Sequence, residues 1–558
     1  MIAIVDSRFL RVFQRSIGYT QKNNKYRIYA SISFAVFLLG IGVPLWWHTT
    51  AVPRVAVPYS GIDDLSNLEI KIRSRVVVAA LQKSRAESLV QEIDAAFSNA
   101  EIYEVFAVPF YHQDLEKAVE SIVESNLATG DLLLLESPNL HNTIFVGSKR
   151  TVMFSKETSG SKLIEVLSKW ILQDASVALT KNALADPTLY SLDEENRRRF
   201  PASPAYDILI TAVNPDPEKL RVNWDLRAMA NDYVQPFLNE VSMLSNFSVK
   251  SQWLYLLPLD VNPKRVPDSS PLGRHFALPE DVLPQLITPL EKKLASQVGL
   301  HPTINFVAYM VPCDSAPLHI YSRRGFRSKM TNNVEAFLSP RWGGVVLINT
   351  PAEACMNATS NEAVSIVPEE TTVMGTFLAQ LRLLLGIPEP RFISGVSEAP
   401  LTHLKSRDWE VDALLRIRSM EQLASAKLTL QSLSRLLKAI SSIVITDVVG
   451  NRIKSALDLV ERSAEQLREG NLLEGFSLSK EAFVTAEAAF SDPTLLALLY
   501  FPEDQKYAVY IPLFLPAMLP VLLSLRNIQR YFFPSKKKGV KKNTSKECES
   551  TAEKQESS

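Results

Sequence analysis

Cysteine, histidine and recognisable catalytic signatures are all scarce in this chain of 558 residues. Only Cys313, Cys355 and Cys548 occur, with no C-x-x-C spacing, which excludes a disulfide-framed scaffold and the common thiolate metal sites. A single Cys313 to Cys355 bond and two buried free thiols stand as alternatives. The histidines, His48, His112, His141, His275, His301, His319 and His403, are scattered, and none has metal-ligand spacing from another His or Cys. Cys313 and His319 are close in sequence, but a catalytic dyad is defined by geometry in space. D-x-D is missing, which removes the usual carboxylate arrangement of a membrane-anchored glycosyltransferase. H-E-x-x-H, G-x-S-x-G, the P-loop and G-x-G-x-x-G are missing as well. The carboxylates from Glu92 to Glu124 read as solvated helix faces rather than acid/base pairs. Net charge is also lacking, with 60 basic against 60 acidic residues, so no nucleic-acid partner is expected. No cofactor and no metal are implied. These absences favour a structural or binding role; the competing class is a doubly anchored luminal hydrolase whose carboxylates no linear motif reveals.

What the chain does contain is an uncharged apolar run near each end, residues 28–47 and 507–525. Each is about long enough to cross a bilayer as a helix, which takes roughly 20 residues. The first run has ten Ile, Leu, Val and Phe residues, together contributing roughly −3 to −6 kcal/mol to insertion. The second carries Pro512, Pro516 and Pro520, spaced by four and so on one helical face. Each proline strips a carbonyl one turn earlier of its donor, a cost of several kcal/mol in hydrocarbon. That face is therefore a candidate for intramembrane packing on a neighbouring protein helix. The alternative is a kinked helix whose freed carbonyls are answered by the chain's own first span or by a hydroxyl such as that of Ser524.

Orientation follows from the flanks. Residues 1–27 hold six Lys and Arg against Asp6, and residues 526–558 hold nine, including Lys536 to Lys538, Lys541 and Lys542, against four Glu. Both tails are about +5, so the remainder carries about −10. Positive flanks stay in the cytosol, which places residues 48–506 on the other side of the membrane. A cleavable signal peptide is disfavoured by the length of the first run and by the lack of a clear A-x-A site. Sequons at Asn246 (N-F-S) and Asn357 (N-A-T) are then available for glycosylation, whereas Asn543 (N-T-S) is cytosolic and bare. The basic tail is either a solvated end, the plainer reading, or a contact for anionic membrane lipid.

Between the anchors, short strand-like runs at 76–81, 102–110 and 132–135 alternate with helical stretches at 86–97 and 115–125. The alternation continues with strands at 206–213, 247–257 and 304–311 and helices at 226–244 and 281–298. After about residue 370 only helical periodicity is expected, at 373–385, 410–443, 452–467 and 472–490. The expected fold class is an α/β luminal domain (48–370) followed by a helical region (371–506), flanked by two transmembrane helices (28–47 and 507–525) and basic cytosolic tails (1–27 and 526–558). Trp342, followed by Gly343 and Gly344, is either an exposed aromatic anchor for a partner or a buried residue starting a strand.

Several strings carry a resemblance. L-G-I-G-V-P-L-W-W-H-T-T from Leu39, V-P-Y-S-G-I from Val57, N-P-D-P from Asn214, Y-V-Q-P-F-L-N from Tyr233 and N-F-S-V from Asn246 are five of them. S-P-R-W-G-G from Ser339, F-L-A-Q-L-R-L-L-L-G-I from Phe377 and L-L-Y-F-P-E-D-Q-K-Y-A-V-Y-I-P-L-F-L-P from Leu498 complete the set. Distributed over residues 39–525, they resemble the PIG-S family, the S subunit of the glycosylphosphatidylinositol (GPI) transamidase. Residues 75–200 and both tails resemble it least, and Cys313 and Cys355 are outside the family pattern, whereas the sequons at Asn246 and Asn357 fall within it. The resemblance implies a non-catalytic subunit in the endoplasmic reticulum membrane, assembled with the K, T, U and GAA1-type subunits. That complex exchanges a C-terminal signal for a GPI anchor, and the family's catalytic cysteine and histidine belong to the caspase-like K subunit. Contact with the GPI lipid and the precursor protein would be indirect.

Overall fold

The computed structural model describes residues 20–111, 127–141, 143–185, 197–267, 273–294, 299–325, 327, 334–357, 363–387, 389–401, 406–497 and 503–532. The chain divides into two compact units, a large one of Ala56–Leu436 with Asp447–Asp492, and a smaller one holding both ends and Leu437–Thr446.

The large unit opens with strands β1 (Ile72–Ala80), β2 (Tyr103–Tyr111), β3 (Leu132–Glu136), β4 (Ile144–Val146) and β5 (Thr151–Phe154). They lie side by side as β4–β5–β3–β1–β2, parallel except for the antiparallel β4–β5 pair. The run L-L-L-L-E of β3 is buried throughout, as expected of a parallel strand covered on both faces. Helix Lys83–Phe97 lays Ala86, Leu89, Ile93 and Phe97 against the core, a spacing of three and four that makes one apolar stripe.

Ten more strands follow: β6 (Ala205–Asn214), β7 (Leu220–Val222), β8 (Asn246–Tyr255), β9 (Lys264–Val266), β10 (His275–Pro279), β11 (Thr303–Val311), β12 (Leu318–Tyr321), β13 (Val334–Ser339), β14 (Gly343–Asn349) and β15 (Val364–Ile366). Five of them form a second sheet, β13–β14–β11–β6–β8, with only the β13–β14 pair antiparallel. Numbered within each sheet, the strand order is the same in both, fourth–fifth–third–first–second, with the same pair antiparallel. Two small sheets, β12–β10–β9 and β15–β7, elaborate the second.

Helix Glu370–Leu385, expected to open a helical region, instead covers the second sheet. Phe377 meets Phe306 of β11 at 5.2 Å, and Gln380 donates to the carbonyl of Phe337 on β13. A strand also follows it, β16 (Val396–Glu398), which joins the first sheet beside β4. Helices Asp408–Ala439, Asp447–Glu469 and Leu472–Phe490 complete the helical C-terminal part. The helix expected at 115–125 lies outside the described residues.

In the smaller unit, helix Thr20–Phe37 passes through a π-helical turn, Leu38–Gly42, into Val43–Thr50. Within it Ile28–His48, of mean hydropathy 2.1, is the one helix among the described residues long and apolar enough to cross a membrane. A second helix, Glu503–Phe532, contains Pro512, Pro516 and Pro520 and packs antiparallel on the first: Trp46 meets Tyr510 at 5.6 Å and Phe514 at 5.7 Å, both edge-on. Leu437–Thr446 is tied in here as well, through Val55 N–H to Ile445 O (3.1 Å) and Ile445 N–H to Pro53 O (3.2 Å). The basic run from Lys536 and Asn543 lie outside the described residues.

Candidate functional site

The most tightly specified region of the large unit is a joint built on helix Asp408–Ala439. From Asp412 to Met420 every residue is buried, charged ones included, so this helix is a core element. Its leucines at 414, 415, 423, 430, 433 and 437 are buried, and Leu436 is half-buried.

The charges on its first turns reach both sheets. Toward the first, Asp412 accepts from Arg150 Nη2 (2.8 Å) and from the backbone N–H of Gly130 (3.1 Å). Arg416 donates to the carbonyls of Gly130 (2.8 Å) and Ile171 (3.2 Å). Gly130 adopts φ +96, and a Cβ there would press on Leu472, so glycine is the residue that fits between the two charges. Trp409 Nε1 donates to Gly147 O at 3.0 Å. Toward the second sheet, Glu410 accepts from Arg382 Nη2 at 2.8 Å on each of its oxygens, from Arg407 Nη1 at 2.8 Å and from the Arg407 backbone N–H at 3.1 Å. Arg418 donates to Leu385 O (2.9 Å) and to Glu421 (2.8 Å), whose other oxygen receives Ala202 N–H.

Hydrogen bonding to Asp412 raises the Arg150 pKa above its usual value. Burial works against the Glu421 carboxylate, but Arg418 and Arg199 outweigh it and hold its pKa below the usual range. Such buried pairs add little net stability over apolar packing, yet losing one partner costs about 3–5 kcal/mol. Their clear consequence is geometric: the two sheets meet the helix in one arrangement.

Cys313 stands in the turn directly after β11, and Cys355 in helix Ala352–Asn357 after β14. Because β11 and β14 are parallel neighbours, their ends emerge side by side, and the two cysteines form a disulfide with Cα atoms 5.6 Å apart. Cys313 is thus not a free thiol beside His319. Asn246 is exposed and begins β8, the edge strand of the second sheet; Asn357 ends its helix, and the remainder of that sequon lies outside the described residues. Trp342 is 9% exposed and packs in the core of the second sheet, which removes it as an exposed anchor.

One cluster joins residues that no linear pattern connects. His275 Nε2 bonds the Tyr321 hydroxyl (2.7 Å), His319 Nδ1 bonds Glu335 (2.9 Å), and Arg327 donates to the same carboxylate (3.1 Å). The two imidazoles are 5.4 Å apart. Among the described residues, no group of three His, Cys, Asp or Glu could hold a metal ion. The contacts instead satisfy polar groups buried between β10, β12 and β13.

A family model described as phosphatidylinositol-glycan biosynthesis class S protein, PIG-S, matches residues 33–534. The chain belongs to the PIG-S family. It is 35% identical over 539 residues to the human protein named GPI-anchor transamidase component PIGS, covering 89% of this chain and 94% of that one. The bovine protein of the same name is 34% identical over 538 residues, with the same coverage. The Saccharomyces cerevisiae GPI transamidase component GPI17 is 22% identical over 548 residues, 94% of this chain and 96% of that protein. In this PIG-S chain the strings that carry the resemblance are largely structural: S-P-R-W-G-G is the turn joining β13 to β14, and F-L-A-Q-L-R-L-L-L-G-I lies in the helix that covers them. The joint at Asp408–Ala439 was invisible in the sequence, because its partners lie up to 286 residues away.

Proposed function

We propose that this PIG-S chain is a non-catalytic scaffold subunit of a GPI transamidase in the endoplasmic reticulum membrane. Family membership is the observation that carries this reading, and the buried charged joint supports it, since its polar groups are directed at the chain's own framework rather than at a crevice. In this reading the nucleophile that forms the acyl-enzyme and the base that takes its proton lie in the caspase-like K subunit. The T, U and GAA1-type subunits complete the assembly, and contacts with GPI lipid and precursor are indirect.

Two spans, 28–47 and 507–525, anchor the chain, with residues 48–506 luminal, both tails cytosolic, Asn246 and Asn357 glycosylated, and Cys313 bonded to Cys355. The candidate intramembrane packing face remains Pro512, Pro516 and Pro520. Support comes from the smaller unit, where all three prolines are exposed while Tyr510, Phe514 and the buried Val521 turn toward the first helix. The proline face is thus open to a partner helix that would answer the carbonyls these prolines free, the alternative being a hydroxyl such as that of Ser524.

Depleting the chain tests the function: GPI-precursor proteins should accumulate uncleaved, and normal anchoring would overturn the assignment. Purification in mild detergent should bring down a caspase-like partner with it. A glycosidase shift tests topology, and modification of Asn543 with Asn246 and Asn357 bare would invert it.

A further inference from the structure

The turn between β13 and β14 buries its tryptophan and displays its arginine. Arg341 is exposed and held at φ +55, a left-handed conformation that side chains other than glycine rarely adopt. Its backbone N–H donates to Arg198 O at 3.1 Å, which sets Arg341 beside the exposed Arg197 and the half-buried Arg198. No carboxylate among the described residues pairs with any of the three. The Nε of Arg198 is sealed from solvent without an acceptor. An unpartnered guanidinium donor withdrawn from water is unfavourable, and backbone strain at an exposed residue tends to persist where position matters to function. Residues 28–525 carry about −10, and among the described residues these three arginines have no acidic partner, which suits them to an anionic surface.

We propose that Arg197, Arg198 and Arg341 form a docking patch for a carboxylate-bearing surface of another subunit of the complex. This rests on the reading of the chain as a subunit. Arginine forks donate to carboxylates in bidentate geometry, and a cluster of arginines without acidic partners among the described residues fixes which face a partner meets. An acidic protein surface fits better than a small phosphate because Arg197 and Arg341 are open to solvent, whereas a small anion gains from being enclosed by donors.

The test uses the full chain assembled in its complex and purified in mild detergent. The variant carrying Arg197→Glu, Arg198→Glu and Arg341→Glu should keep its melting temperature yet lose on the order of tenfold to a hundredfold in assembly affinity. The triple Arg→Lys variant should restore part of that loss. Arg341→Gly relieves the left-handed strain, so it should fold at least as well as the parent while still assembling more weakly. Raising salt should weaken the parent complex and leave the triple-Glu variant almost unaffected. Assembly of the triple-Glu variant at parental affinity would overturn the patch while leaving subunit membership intact. A parent chain that never joins the complex would overturn both. Displacement of the partner by inorganic phosphate, beyond chloride at equal ionic strength, would assign the patch to a phosphate ligand and overturn the protein-docking proposal.

Discussion

The first sheet, β4–β5–β3–β1–β2, and the second, β13–β14–β11–β6–β8, follow one plan and finish it differently. In sheets of this order a crevice opens at the carboxyl ends of the strands where successive crossovers part, and ligands commonly bind there. In the first sheet that place lies between β1 and β3. There Glu136, 1% exposed, accepts the Leu81 N–H at 2.7 Å and pairs with Arg85 at 3.1 Å. In the second it lies between β6 and β11. Asn214 at the end of β6 donates to Leu220 O, and the chain leaving β11 runs into the disulfide and the small sheets. At this place the first sheet thus carries a buried ion pair and the second carries added chain, with the disulfide on the second.

The largest expected effect separates the halves by one glycine each. At Gly343 (φ +152) an added Cβ would sit 1.8 Å from the Asn305 carbonyl oxygen, a backbone atom of the neighbouring strand that cannot retreat. Gly343→Ala should cost roughly 5 kcal/mol or prevent folding. At Gly160 the same addition meets the Glu92 carboxylate, also at 1.8 Å, but this is the end of a flexible side chain. Gly160→Ala should cost under about 1 kcal/mol, since the glutamate can swing away. Denaturant unfolding of both variants checks the contrast; equal losses would break it.

Asp412→Ala comes next. It strands Arg150 and the Gly130 N–H on the first-sheet side while leaving Glu410 and Arg382 paired on the other. The expected loss is about 3–4 kcal/mol, with hydrogen exchange rising first around β3 and β5. Equal exchange in both sheets would show that the joint melts as one body. Cys355→Ser follows, expected to cost about 3 kcal/mol because the bond closes a span of 42 residues. Its effect should fall on the second sheet alone, and an unchanged melting temperature would mean that the bond adds nothing to stability.

Legibility followed the range of the physics. Helix Leu472–Phe490 and strands β3, β6 and β11 are written in local periodicity and occur within a residue of where the apolar spacing places them, whereas β1 starts at Ile72, ahead of the expected 76. The repeated strand order is not local, because nothing in a strand's own residues names its neighbour. For the same reason the approach of His275 to His319 and the joint at Asp412 left no trace in the chain. Strand β16 is three residues long, too short for alternation to register. Trp342 illustrates an ambiguity that burial alone resolves, since W-G-G suits an exposed turn and a buried strand start equally.

The smallest effect appears only in alkali, and it sharpens the comparison because a buried tyrosine of the first sheet, Tyr103, and one of the second, Tyr309, use their hydroxyls in opposite senses. Tyr103 of β2 donates its hydroxyl proton to Leu172 O at 2.7 Å, and burial raises its pKa well above the usual value. Tyr309 of β11 accepts the Leu259 N–H at 3.0 Å, and burial raises it to about 12. For a group raised on folding, stability is complete below the unfolded value near 10 and is lost as pH climbs through the folded one, by roughly 1 kcal/mol per pH unit. The bonds modulate this. Ionisation destroys the bond Tyr103 donates, whereas an ionised Tyr309 would still accept from Leu259. Tyr103→Phe should therefore flatten the fall in stability between about pH 10 and 12 more than Tyr309→Phe does, and at neutral pH each variant should lose only its own hydrogen bond, about 1 kcal/mol. Urea midpoints across that range decide it: a steeper loss traced to Tyr309 would mean that desolvation, not the direction of the hydrogen bond, sets the alkaline limit of each sheet.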